Sequence, residues 1–118
     1  EPEWYDLLSE ILMALDNRTI ILELTQAWFY IRYASLLGHA LNTEVDVQGQ
    51  PLRPEEQYRY DSTEQGLVLY GAGEISGAHI KLLRLLSTRS LKVLAQVGGL
   101  QAVLGGCLSV AREHAALD

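Results

Sequence analysis

Residues 19–41, TIILELTQAWFYIRYASLLGHAL, constrain this chain more than any other stretch. The run is the longest strongly apolar segment, opens on a capping-type residue and closes near a glycine. Wound as an α-helix it carries two apolar stripes. Ile20, Ile21, Leu24, Ala27, Trp28 and Ile31 form one, and Leu22, Phe29, Tyr33 and Leu36 form the other. A surface helix needs a single stripe, so apolar residues on two sides predict a helix packed between neighbours. The expected fold class is therefore mainly α, a helical bundle around this central helix.

The flanking sequence supplies the neighbours. In residues 3–15, Leu7, Leu8, Ile11, Leu12 and Leu15 recur at helical spacing with Trp4 on the same side, and Pro2 suits a first turn. Asp16, Asn17 and Arg18 read as a turn, which makes the next helix an antiparallel neighbour. Gly38 is placed to end the central helix in a left-handed conformation. Residues 76–87 are helical again, with Ile80, Leu82, Leu83 and Leu86 facing inward and Lys81 and Arg84 outward. A short helix restarts after Ser90, and residues 100–117 form the last one. Its Gly105 and Gly106 each cost roughly 1 kcal/mol relative to alanine. With Ala102 and Ser109 they suggest a close approach by another helix.

Between the helices the period disappears. Pro51, Pro54, Gly49, Gly66, Gly71 and Gly73 punctuate residues 42–73. Glu44 to Val47 read as a short strand turning at Gln48 and Gly49. Tyr58 to Tyr60 and Leu67 to Leu69 read as two strands around the loop DSTEQG. The bundle thus carries a small β-hairpin-like excursion at about residues 44–70.

The 118 residues suffice for a single domain, 1–118, with a real core. The chain begins within a helical pattern, which suggests a piece of something longer. No signal-peptide pattern opens it, and Glu23, Gln26 and Arg32 interrupt the apolar run, so no membrane span is expected. The lone Cys107 excludes an internal disulfide and a multi-cysteine zinc site, and a cytoplasmic setting follows as the expectation. The formal charge of −6 argues against general nucleic-acid binding, which relies on Lys and Arg neutralising phosphates.

No catalytic constellation assembles. His39, His79 and His114 are scattered, and each is expected to be structural or solvated. Cys107 lies among apolar and small residues, as an inert buried thiol does. Gly71, Ala72 and Gly73 precede Glu74 and Ile75, where a phosphate-binding loop would need Lys and Ser or Thr. The one charge feature above background is Lys81, Arg84, Arg89 and Lys92, four of nine basic residues within twelve positions and interleaved with leucines. An ordinary solvated face over a leucine core is the first reading. Capture of an acidic peptide with an apolar end is the second. Arg32, between the two stripes, is expected to be a structural charge paired with Glu23, Glu44 or Asp46.

The order of these features resembles a known family. The central helix and its exit, Phe29, Tyr30, Ile31, Arg32, Tyr33, Ala34, Ser35, Leu36, Leu37, Gly38, His39, are similar to the pattern F-E-x-R-L-L-x-x-L-G-Y of the C-terminal helical domain of RecO, the bacterial recombination mediator. Gly49, Pro51 and Leu52 match the glycine, proline and leucine of the segment that follows it. Tyr58 to Asp61, Gln65 to Val68 and the Leu- and Arg-rich stretch from Ile80 to Leu86 match the later elements. Many members hold zinc with two Cys-x-x-Cys pairs. Val45, Gln48, Leu69 and Ala72 stand at those positions, so the chain resembles a zinc-free variant in which Val45 and Leu69 pack the two arms together. No cofactor or metal is expected. The family's N-terminal OB-fold is absent from this chain. The resemblance implies a non-enzymatic role in DNA repair and homologous recombination. It further implies contacts with the acidic tail of single-strand DNA-binding protein and with RecR, and single-stranded DNA bound mainly through the missing OB-fold. Charge places the tail contact at Lys81, Arg84, Arg89 and Lys92. The alternatives are an unrelated helical protein-interaction module, or a small-ligand-binding regulatory domain with a cavity at Trp28, Phe29 and Tyr33.

Overall fold

The computed structural model describes residues 22–94, 96 and 101–116. The expected first helix at 3–15, the turn after it and the start of the central run lie outside the described residues. Helix α1, Leu22–Leu36, is followed by the hairpin strands β1, Tyr58–Asp61, and β2, Gly66–Leu69. Helices α2, Gly77–Thr88, α3, Leu91–Leu94, and α4, Gln101–Ala115, complete the order. Among the described residues the architecture is mainly helical with one small antiparallel hairpin.

Helix α1 buries Leu24, Thr25, Ala27, Trp28, Ile31 and Ala34, and packs most extensively on α4. On α4 the matching stripe is Leu104, Cys107, Leu108, Ala111 and His114, at three- and four-residue steps. Helix α2 closes the third side with Ile80, Leu82, Leu83 and Leu86, and α3 adds Leu91 and Leu94. Side chains spaced at helical period thus meet in one cluster, which supplies most of the favourable free energy of folding. The second stripe of α1 behaves differently from the first. Leu22 is 63% exposed and Leu36 37%, while Phe29 and Tyr33 are half-buried and stack with ring centroids 5.8 Å apart. Two aromatic rings on successive turns shield each other, so this side does not require a second buried seam.

The exit of α1 obeys its sequence. Gly38 takes φ 90°, the Gly38 N–H donates to Ser35 O at 3.1 Å, and the His39 N–H donates to Ala34 O at 3.0 Å. This pair of bonds satisfies carbonyls that the end of the helix would otherwise leave unpaired.

In the excursion, residues 44–47 form no strand. Asp46 organises a turn instead: its Oδ1 accepts the Gln48 and Gln50 N–H groups, and a single bridge joins Val45 to Pro51. The expected packing of Val45 on Leu69 is corrected, since Leu69 is 54% exposed. The arms are tied by backbone, with the Val47 N–H donating to Leu67 O at 2.9 Å. Strands β1 and β2 pair as expected, Tyr58 with Leu69 and Tyr60 with Leu67. In the connecting loop Asp61 Oδ1 accepts the N–H groups of Thr63 and Glu64, and Gln65 rather than the glycine takes the left-handed conformation, φ 59°.

Tyr58 also bridges to Ile75, which delivers the chain to α2. There Ser76 is the N-cap and His79 stands where a capping box has Glu or Gln. The Ser76 N–H donates to His79 Nδ1 at 3.1 Å.

Candidate functional site

Arg32 reaches across from α1 to the C-terminal end of α2. Its Nε donates to Leu86 O at 2.9 Å, its Nη2 to Arg89 O at 2.6 Å, and its guanidinium lies 5.0 Å from the Trp28 ring. The Trp28 Nε1–H donates to the same Arg89 carbonyl at 3.0 Å. Helix ends leave their last carbonyls unpaired and carry partial negative charge, so a fixed cation there is stabilising. Among the described residues these hydrogen bonds of Arg32 go to carbonyl oxygens, and Glu44, one of the expected partners, lies 3.6 Å from Arg84.

The structure distributes the four basic candidates between two duties. Lys81, Arg84, Arg89 and Lys92 are all exposed, over a leucine core in which Leu83, Leu86, Leu91 and Leu94 are fully buried. Arg84 is partly committed, because its Nε donates to Thr43 O at 2.9 Å and so fixes the loop after α1. Its pairing with the exposed Glu44 adds little in water. Among the described residues Lys81, Arg89 and Lys92 form no ion pair. Val93, beside Lys92, is 47% exposed, so basic groups and one apolar side chain share the surface there.

Two histidines that look unrelated in sequence come together. His114 is 2% exposed; its Nδ1 lies 2.7 Å from the Tyr60 hydroxyl and its Nε2 bonds to His39 O. The His39 ring is 5.3 Å away. Burial holds the His114 pKa below its ordinary value; the bond to His39 O opposes it, and the nearby His39 ring adds a smaller lowering. Burial, with Glu113 and Asp61 nearby, pushes the Tyr60 phenol up to about 12. The three residues stand 54 and 75 positions apart in the relevant pairs, so no spacing rule reveals them.

Burial pushes the Cys107 thiol up to about 12, and its Sγ–H faces His79 O at 3.3 Å. An open groove of about 360 Å³ runs between the hairpin and α4, lined by Tyr60, Tyr70, Glu74, Ser109 and Glu113 among others. Another of about 400 Å³ lies between the 46–51 turn and β2. Neither reaches Trp28, Phe29 or Tyr33. Among the described residues no group of three His, Cys, Asp or Glu side chains is placed to hold one metal ion, and no described helix is long and apolar enough to cross a membrane.

The chain matches no known family, no curated protein and no solved structure.

Proposed function

We propose that the chain is a RecO-like C-terminal helical domain, a non-enzymatic part of a cytoplasmic recombination mediator that receives the acidic tail of a single-strand DNA-binding protein. The resemblance of the central helix, its Gly38 exit and the hairpin to that family supports the reading. One structural observation carries the binding role: Lys81, Arg89 and Lys92 stand exposed beside Val93 over a closed leucine core. Cations next to an apolar side chain suit an acidic peptide with an apolar end. RecR and single-stranded DNA would be engaged by the whole mediator, the DNA mainly through an OB-fold.

The test is fluorescence anisotropy with an acidic peptide that ends in an apolar residue. Reversing Lys81 and Lys92 to glutamate is expected to weaken binding by at least about tenfold at low salt, since two exposed charges each contribute on the order of 1 kcal/mol. Unchanged affinity would remove the binding role. Arg84 is a poor target for this experiment because it also holds Thr43 O.

A second reading is an unrelated helical interaction module, favoured by the exposure of Leu36 and Leu37 beside the Phe29–Tyr33 stack. A gene whose upstream part encodes no OB-fold would favour it. Trp28, on which the small-ligand reading turns, is 2% exposed with its indole N–H bonded to Arg89 O.

A further inference from the structure

The Tyr60, His39 and His114 group plays no part in the proposed peptide site, yet it joins three elements. His114 lies in the last turn of α4, Tyr60 on β1, and His39 at the exit of α1. A carbonyl oxygen can only accept, so the bond to His39 O requires a hydrogen on His114 Nε2. In the neutral ring Nδ1 is then bare, and it accepts the Tyr60 hydroxyl hydrogen at 2.7 Å. Both ring nitrogens are satisfied in this one neutral tautomer.

Charging the ring changes those terms. A second N–H on Nδ1 would face the Tyr60 hydroxyl, which would have to swing its own hydrogen away and accept instead. The new charge would sit in a site 2% exposed. From the α1 exit it faces the His39 ring at 5.3 Å, whose Nε2 is itself buried without a partner among the described residues. From β1 it faces the edge-on Tyr60 ring at 5.8 Å, with Asp61 next along the strand. Within α4 its neighbours are Glu113 and Arg112, the latter lying over the Tyr30 ring of α1. The carboxylates of Glu113 and Asp61 act on the Tyr60 phenol and help keep it protonated.

We propose that Tyr60, His114 and His39 form a proton-released clasp: neutral His114 ties the last turn of α4 to the hairpin and to the α1 exit, and a proton on its Nδ1 lets that turn go. Opening is local, because the Leu104 to Ala111 stripe of α4 packs on α1 independently of the clasp. The groove between Tyr60, Tyr70, Glu74 and Glu113 lies beside it and widens when the turn releases.

Histidine ring NMR of the 118-residue chain, recorded from about pH 8 to about pH 5 with amide hydrogen exchange corrected for intrinsic rate, tests this. His114 is expected to start as the Nε2–H tautomer and to titrate below an ordinary histidine. Amides of residues 112–116 and of Tyr60 should lose protection along the same curve while those of Trp28 and Ile31 keep theirs. His114→Gln retains a donor and an acceptor but takes no charge, so its protection should stay flat over that range. Titration of His114 with protection of residues 112–116 retained overturns the clasp, as does an equal loss in His114→Gln. If that variant does not fold, the wild-type titration alone decides: protection of residues 112–116 lost along the His114 curve supports the clasp, and protection retained overturns it.

Discussion

Arg32 shows how a single side chain can tie two helices together through carbonyl oxygens at a helix end. Its guanidinium satisfies two carbonyls at the end of α2 and stacks near Trp28, whose indole reaches one of the same carbonyls. Replacing it with alanine leaves half-buried carbonyls short of donors and removes a cation from the negative end of the helix. The expected cost is about 2–3 kcal/mol, read from urea denaturation. Arg32→Lys should recover only part of this, because an ammonium cannot present the same planar fork. A loss below about 0.5 kcal/mol would show that the contact is solvated rather than structural. The sequence marks Arg32 as a structural charge between two stripes but does not reveal the carbonyls it reaches. A pattern of side chains says nothing about where the carbonyls of another helix end.

At the scale of the element, the paired glycines of α4 separate into two cases. A Cβ on Gly106 would lie 2.7 Å from His79 Nε2, and the imidazole is held in place by its bonds to Ser76. A Cβ on Gly105 would meet open space. Gly105→Ala is therefore expected to stabilise by up to about 1 kcal/mol, the helix-propensity difference. Gly106→Ala should destabilise by about 1–3 kcal/mol through overpacking. Thermal melts of the two variants should move in opposite directions, and two upward shifts would mean that the His79 ring yields easily. The small residues suggested one close approach along a four-residue stripe, and only Gly106 makes it; Ala102 and Ser109 are exposed. Helical period locates a face, whereas the depth of contact at each position depends on the partner. The same holds in α1, where the first stripe is core and the second is largely surface. Its aromatic pair was legible as apolar but not as a self-shielding stack. The hairpin was legible nearly to the residue, because alternating strands around an Asp-led loop carry their own register.

For the molecule as a whole, two imidazoles tie stability to pH in the same direction. Burial lowers the pKa of both His114 and His79 from the ordinary 6.5, with Glu74 partly opposing it at His79. The unfolded chain then binds more protons than the folded one just below that value, so stability rises with pH there. Their contribution is fully present above about 6.5 and is lost as the pH falls through the lower folded values. Chemical denaturation midpoints are expected to drop between about pH 7 and about pH 5, and the His114→Gln, His79→Gln double variant should flatten the drop. An unchanged slope in that variant would assign the effect to other groups. Nothing in the sequence grouped His39 and His114 with a tyrosine on a strand, since the proximity exists only once α1 and α4 have packed and the Gly38 turn has aimed the His39 carbonyl.

The Cys107 thiol has a use that its inertness conceals. It is fully buried where α4 meets the start of α2, its pKa is pushed to about 12, and it is the only sulfhydryl in the chain. A thiol so placed cannot meet an alkylating reagent until those two helices part. Its rate of modification under native conditions therefore gauges how much of the time the interior stands open when reclosing outpaces the reagent, with no second cysteine to blur the reading.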